Sequence, residues 1–219
     1  ALTEGADMSS TTVSTSSVTV TIAEVGAQVL LTDLARDGHG NPAIELGTVL
    51  GSAIAKKMDQ DLLALFDGFS TSLGGAGTEI TVADIFKAVA ILQNNNAPGS
   101  MAAVIHPYTA YQLKANLTNT FANPNGGDAQ NEAMRSSFVG SLGGVDIYQS
   151  SNLTVDGNDD VKGAVFSREA LAIALKRDFQ IETQRDASLR ATELNATAVY
   201  GVGELDDTYG VELFFDAAV

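Results

Sequence analysis

The clearest periodicity in the chain lies between Ala43 and Phe66, where Leu46, Leu50, Ile54, Met58 and Leu62 recur every four residues. That spacing sets them in one row along a helix, and Val49, Ala53 and Leu65 widen the stripe. No proline interrupts the run, and Gly68 stands where a helix would stop. At the α-helical rise this element would be roughly 36 Å long, a length that suits the backbone of an extended subunit. A second helix is predicted from Val82 to Asn94, with Ile85, Phe86, Val89 and Leu92 as its apolar face. Thr81 or Thr78 can cap it, and Asp84 suits its first turn. A third follows His106-Pro107, over about Tyr108 to Leu117.

Short apolar runs bounded by turn residues predict strands at Met101 to Ile105, Val145 to Gln149, Gly163 to Ser167 and Val211 to Phe215. Ile173 to Lys176 reads as strand or short helix, and Glu24 to Leu34 fits either as well. Phe179, Ile181 and Thr183 alternate with polar residues, as do Leu189, Ala191, Glu193, Asn195, Thr197 and Val199. Together they predict a long two-stranded ribbon turning near Arg185 to Ser188. Val18 to Ile22 also alternates, inside a Ser/Thr-rich start that can bury little by itself and must lie on another surface or protrude as an arm; a flexible terminus is the simpler alternative. Loops are predicted at Asp37 to Pro42, Gly74 to Gly77, Asn94 to Gly99, Asn123 to Gly127 and Asp156 to Asp160, and 138–144 is Gly-rich. The class is α+β, without the regular strand–helix alternation of a doubly wound sheet.

Composition narrows the function. With 219 residues, 45% of them apolar, the chain can bury a real core. It has no cysteine, so no disulfide framework is possible. Twelve basic against 27 acidic residues leave a net charge of −15, which argues against a protein that holds nucleic acid by neutralising phosphates. A surface this acidic repels DNA at short range, a balance that acidic proteins of every kind share. No window of about 18 apolar residues predicts a membrane span. The first residue is Ala1 and no basic-then-apolar leader follows, which suggests a processed or truncated start.

No residue pattern carries catalysis. His39 lies in a Gly-rich turn and His106 at a strand end; two isolated histidines without cysteine make a poor zinc site. Gly140-Ser-Leu-Gly143 falls one residue short of a nucleophile elbow. Asp156, Asn158 and Asp160 have the spacing that opens a calcium loop, but Val161 replaces the required glycine and Ser167 the bidentate glutamate. Glu204, Asp206 and Asp207 could chelate a hard cation, but a solvated loop is the simpler reading. Gly201-Val-Gly203 lacks the third glycine of a dinucleotide fingerprint. The sequons at Asn116, Asn152 and Asn195 carry no weight without a secretory signal. The reading is therefore no enzyme, no cofactor and no metal.

Three phrases, taken with the order of elements, carry a resemblance: Met101-Ala-Ala-Val-Ile-His-Pro107 leading into a helix, Phe138-Val-Gly-Ser-Leu-Gly-Gly-Val-Asp-Ile-Tyr148, and Asn195-Ala-Thr-Ala-Val-Tyr-Gly201 followed by Tyr209-Gly-Val-Glu-Leu213. The chain resembles the major capsid proteins of tailed phages, with the Hong Kong 97-type fold, over nearly its whole length. The resemblance implies an extended-loop arm over residues 1–40, a peripheral domain from 41–81 and 177–203 with the 43–66 helix as its spine, and an axial domain from 82–176 and 204–219. It implies copies of the chain assembling into hexamers and pentamers of an icosahedral shell around double-stranded DNA, in a virion built in the host cytoplasm. Portal, scaffold and decoration proteins are further implied partners, and no membrane is. Val18, Val20 and Ile22 of the arm and Arg185 and Asp186 of the ribbon tip are the implied contacts between subunits. Some family members weld subunits through a lysine of the extended loop; the first lysine here is Lys56, inside the long helix, so no such link can come from the arm. An encapsulin-type compartment shares the fold. A secreted adhesin or fibre module is the reading from another class, and it requires an all-β chain.

Overall fold

The computed structural model describes residues 12, 17–38, 42–121 and 141–218. The expectations for His39, for the loop at 123–127 and for Phe138 to Gly140 lie outside the described residues. Two sheets organise the rest. A three-stranded antiparallel sheet has the order β1 (Ala23–Thr32), β8 (Ala191–Glu204), β7 (Leu171–Asp186). A six-stranded mixed sheet has the order β2 (Ser72–Gly74), β9 (Gly210–Asp216), β6 (Asp160–Ser167), β3 (Met101–Ile105), β5 (Val145–Gln149), β4 (Ser141–Leu142). Four helices join them: α1 (Asp33–Gly38), α2 (Pro42–Leu63), α3 (Val82–Asn94) and α4 (Pro107–Phe121). Helices on this scale exclude the all-β adhesin reading.

The long helix α2 holds the two sheets together. Its leucine row does what the four-residue spacing predicts. Leu50 (2% exposed) and Ile54 pack on Leu194, Ala196, Ala198 and Tyr200 of β8 and on Leu31 of β1, with Leu46 and Met58 beside them. Small residues on β8 let the helix approach, and each fully buried aliphatic side chain contributes about 1.5–3 kcal/mol. The helix gives way to a 3-10 turn at Ala64–Gly68, and here the chain changes partners. Leu63, Phe66 and Phe69 pack with Val161 and Ala164 of β6 and with Leu153 and Ala217. The Phe69 ring occupies the space beside Gly210, where any side chain would collide with it.

The six-stranded sheet carries the larger core. Ile85, Ala88, Val89 and Leu92 of α3 and Ala110 and Leu113 of α4 cover Ala103, Ile105, Val145, Val165, Val211, Leu213 and Phe215. The N-terminus of α3 is closed by Thr81, whose N–H and hydroxyl donate to the Asp84 carboxylate at 3.0 and 2.6 Å.

Several expectations need correction. Val49 and Ala53 face outward, because the row that meets β8 narrows to the four-residue line. Phe86 is 48% exposed; the buried face of α3 runs through Ala88, the i+3 neighbour of Ile85. The segment Glu24 to Leu34 is mostly strand, and β1 pairs with β8 of its own chain from Ala23↔Tyr200 to Thr32↔Ala191. Residues 23–32 of the expected 1–40 arm therefore belong to the three-stranded sheet. Val18 to Ile22 forms no strand: residues 17–22 carry no regular structure. β7 is one strand from Leu171 with two irregularities, so 171–176 joins the ribbon, and β2 places residues 72–74 in the six-stranded sheet beside β9. The ribbon turn falls at 187–190, putting Arg185 and Asp186 at the end of β7 and Leu189 in the turn.

Candidate functional site

Two places meet the expectation of a contact surface: the ribbon tip and the arm. At the tip, the Arg185 guanidinium donates two bonds, 2.7 and 2.8 Å, to the Asp33 carboxylate at the start of α1. That bidentate bond holds Asp33 below the usual carboxylate range and raises Arg185. The Asp33 N–H donates to the Arg190 carbonyl at 2.9 Å. The Asp186 carboxylate accepts from the Ser188 hydroxyl (2.6 Å) and N–H (2.8 Å) and from the Leu189 N–H (3.1 Å) and is held below its ordinary value, first by the hydroxyl. Arg185 and Asp186 thus build the tip from within. What the tip presents outward is Leu34 (85% exposed) and Leu189 (57%). Sequence pattern does not single out either: the alternation places Leu189 inside the ribbon rather than in its turn, and Leu34 falls at the end of an ambiguous apolar run.

In the arm, Val18 and Ile22 are exposed, whereas Val20 is partly covered and lies against Gly201 and Gly203 of β8. The structure does not bring the arm and the tip together: Val20 lies beside the Gly201 end of β8, and the Arg185 pair sits at its Ala191 end.

Between the sheets lies a polar seam along α2. The Asp59 carboxylate accepts from Asn152 Nδ2 at 2.5 Å and from the Ser150 hydroxyl at 3.3 Å, which ties α2 to the segment after β5. Asp61 accepts from the Tyr200 hydroxyl (2.7 Å) and from Lys57 Nζ (2.5 Å). Burial works to raise Asp61, but those two bonds outweigh it and hold the carboxyl low. Burial and the bond to Asp61 push Tyr200 up to about 12. Lys162 of β6 is ion-paired with Asp67 and with Glu212 (3.2 Å) and is raised first by the Asp67 bond. Of these groups Lys162, Asp67 and Asn152 line a cavity of about 230 Å³ that also takes in Gln60, Asp156 and Asp160.

The remaining candidates have structural duties. Asp160 is not solvated; it is 2% exposed, and its Oδ1 accepts from the Gly77 N–H at 2.8 Å. Asp156 closes its own turn by accepting from the N–H groups of Asn158 and Asp160. Among the described residues no three His, Asp or Glu side chains converge on a metal position. Asp207 accepts from the Ser70 N–H (2.7 Å) and hydroxyl, which hold it low against burial, while burial and Asp207 raise Glu204. His106 is buried, its Nδ1 accepts from the Tyr108 N–H at 3.3 Å, and desolvation lowers its pKa. The Asn116 and Asn152 amides are engaged with Ile80 and Asp59. No described helix is long and apolar enough to cross a membrane.

The family model described as phage capsid protein matches residues 15–212. The fold is similar to a structure from Mycobacterium phage Che8, at 21% identity and TM-score 0.72, covering 87% of this chain and 70% of that one. It is similar to the capsid of cyanophage P-SCSP1u at 19% identity and TM-score 0.69, covering 96% and 81%. It is also similar to the SrpI encapsulin of Synechococcus elongatus at 12% identity and TM-score 0.66, covering 90% and 75%. No curated protein matches the chain.

Proposed function

The chain belongs to the phage capsid protein family and has the Hong Kong 97-type fold of a structural shell protein, and on that premise we propose that it assembles into pentamers and hexamers of an icosahedral capsid enclosing double-stranded DNA. The observation that carries the reading is the family match across residues 15–212, joined to a fold in which one long helix couples a thin, exposed sheet to a thick, covered one. In this reading β1, α2 and the β7–β8 ribbon form the peripheral part, and the six-stranded sheet with α3 and α4 forms the axial part that meets its copies at capsomer centres. The ribbon tip, through Leu34 and Leu189 around the Arg185–Asp33 pair, meets other capsomers near a three-fold position. The arm, with Val18, Val20 and Ile22, lies on a neighbouring copy, its many hydroxyls supplying hydrogen bonds where its few apolar groups cannot. Portal, scaffold and decoration proteins complete the particle, which is built in the host cytoplasm.

The likeness to an encapsulin supports a second reading, a compartment shell without DNA. Negative-stain electron microscopy of the concentrated chain tests both. Hollow shells with five- and six-fold capsomers are expected, and nuclease-protected DNA in particles taken from infected cells separates capsid from compartment. A monomer at every salt and concentration would overturn the shell reading. Deleting Ala1 to Ser17 should leave the fold and abolish stable shells; shells of normal stability from the shortened chain would remove the arm from this account.

A further inference from the structure

The pair Gly201 and Gly203 is unexplained by strand chemistry. Both lie inside β8 and two residues apart, so they share one face. That face is turned away from α2, because Ala196, Ala198 and Tyr200 occupy the other. Glycine weakens a strand interior, and neither residue has the positive φ that would require it. The remaining reason is space, and the arm fills it. A Cβ on Gly201 would stand 2.4 Å from the Thr21 carbonyl oxygen and 3.0 Å from Val20 Cγ1; one on Gly203 would stand 2.8 Å from Val20 Cγ2. Continuing the β1 register would set Ile22 beside Gly201 and Val20 beside Gly203 as ladder partners. Instead the chain leaves the ladder at Ala23 and climbs onto β8, with Thr21 above Gly201 and Val20 above Gly203.

We propose that Gly201 and Gly203 are positioning residues: a side-chain-free seat on β8 that fixes where the arm leaves the subunit and so presents Val18 and Ile22 to a neighbouring copy. The seat stands on the geometry alone, whereas its service to assembly rests on the arm's proposed role.

The test uses the full chain, which has no cysteine of its own. The Gly203 Cβ position lies 3.7 Å from Val20 Cβ, within the span of an unstrained disulfide. The double variant Val20→Cys/Gly203→Cys should close an intrachain disulfide at least about tenfold faster than Val18→Cys/Gly203→Cys under mild oxidation. No bond, or only disulfide-linked dimers, would overturn the seat. A second pair guards against misfolding of that variant. Gly203→Ala should speed proteolytic cleavage of the arm about tenfold, and Val20→Ala should reverse this, because the collision is with a side chain. The same Val20→Ala should not reverse Gly201→Ala, where the collision is with a backbone oxygen. Unchanged cleavage in Gly203→Ala, or equal rescue of both, would contradict the proposal. If the cross-link closes but both the cross-linked chain and the chain lacking Ala1 to Ser17 build normal shells, the seat stands and the arm's role in assembly falls.

Discussion

The two sheets differ in what they need. Strands β6 and β9 of the six-stranded sheet are buried along almost their whole length, under α3 and α4 on one side and the end of α2 on the other. In the three-stranded sheet burial is confined to the α2 side of β8, Leu31 of β1, Ala191 and the arm-covered Gly201, and none of the 16 residues of β7 is buried. Yet β7 carries Ile173, Leu175, Phe179 and Ile181. Phe179 and Ile181 lie over Gly51 and Gly47 of α2, where an added Cβ would stand 3.7 Å from each; Ile173 and Leu175 stay open at the sheet edge. A region that holds its apolar groups within itself is a folding unit. One that leaves them on an open edge offers a surface to a partner, and in the shell proposed above that partner is another copy.

This contrast can be broken in order of size. Phe66→Ala, in the core between α2 and β6, should cost about 3–5 kcal/mol and be the most damaging single change to chain stability, read by denaturant unfolding. Leu50→Ala should cost about 2–4 kcal/mol, less because the thin sheet and its glycine-bearing helix can close over the void. Ile173→Thr with Leu175→Thr should change chain stability by no more than about 0.5 kcal/mol while sharply lowering shell yield. Equal loss in both measurements would erase the distinction between the regions.

Two smaller effects test single side chains, one in the seam and one outside it. Tyr200→Phe should cost about 1 kcal/mol at neutral pH. Because the Tyr200 value is raised in the folded chain, its contribution is complete below pH 10 and is lost as pH rises through about 12; the difference between wild type and variant should fade over that window. Glu204→Gln should raise the melting temperature slightly at neutral pH, where the ionised carboxylate is strained by burial and by Asp207. A raised carboxylate contributes stability only at low pH, so the gain should shrink as acidification protonates Glu204.

Much of this was legible beforehand. The rows at Leu46, Leu50 and Ile54 and at Ile85, Val89 and Leu92, and the short apolar strands at Met101 to Ile105 and Val145 to Gln149, announce themselves because burial imposes a period. The partner of Glu24 to Leu34 was not legible: a strand and a helix face share its pattern, and only pairing with β8 decides. The inward duties of Arg185 and Asp160 were hidden for a related reason. A charged residue reads as solvated until its long-range partner, Asp33 in one case and the Gly77 N–H in the other, is known. Gly201-Val-Gly203 invited comparison with a nucleotide motif, although its glycines answer to the arm lying above them.

A cryo-electron-microscopy reconstruction of assembled particles at side-chain resolution tests the contrast most directly. A closed shell is expected, in which a neighbouring copy covers Ile173, Leu175 and the Leu34–Leu189 tip while the six-stranded core keeps its present packing. A shell in which β7 and the tip remain open to solvent, or a chain that forms no shell at all, would contradict it.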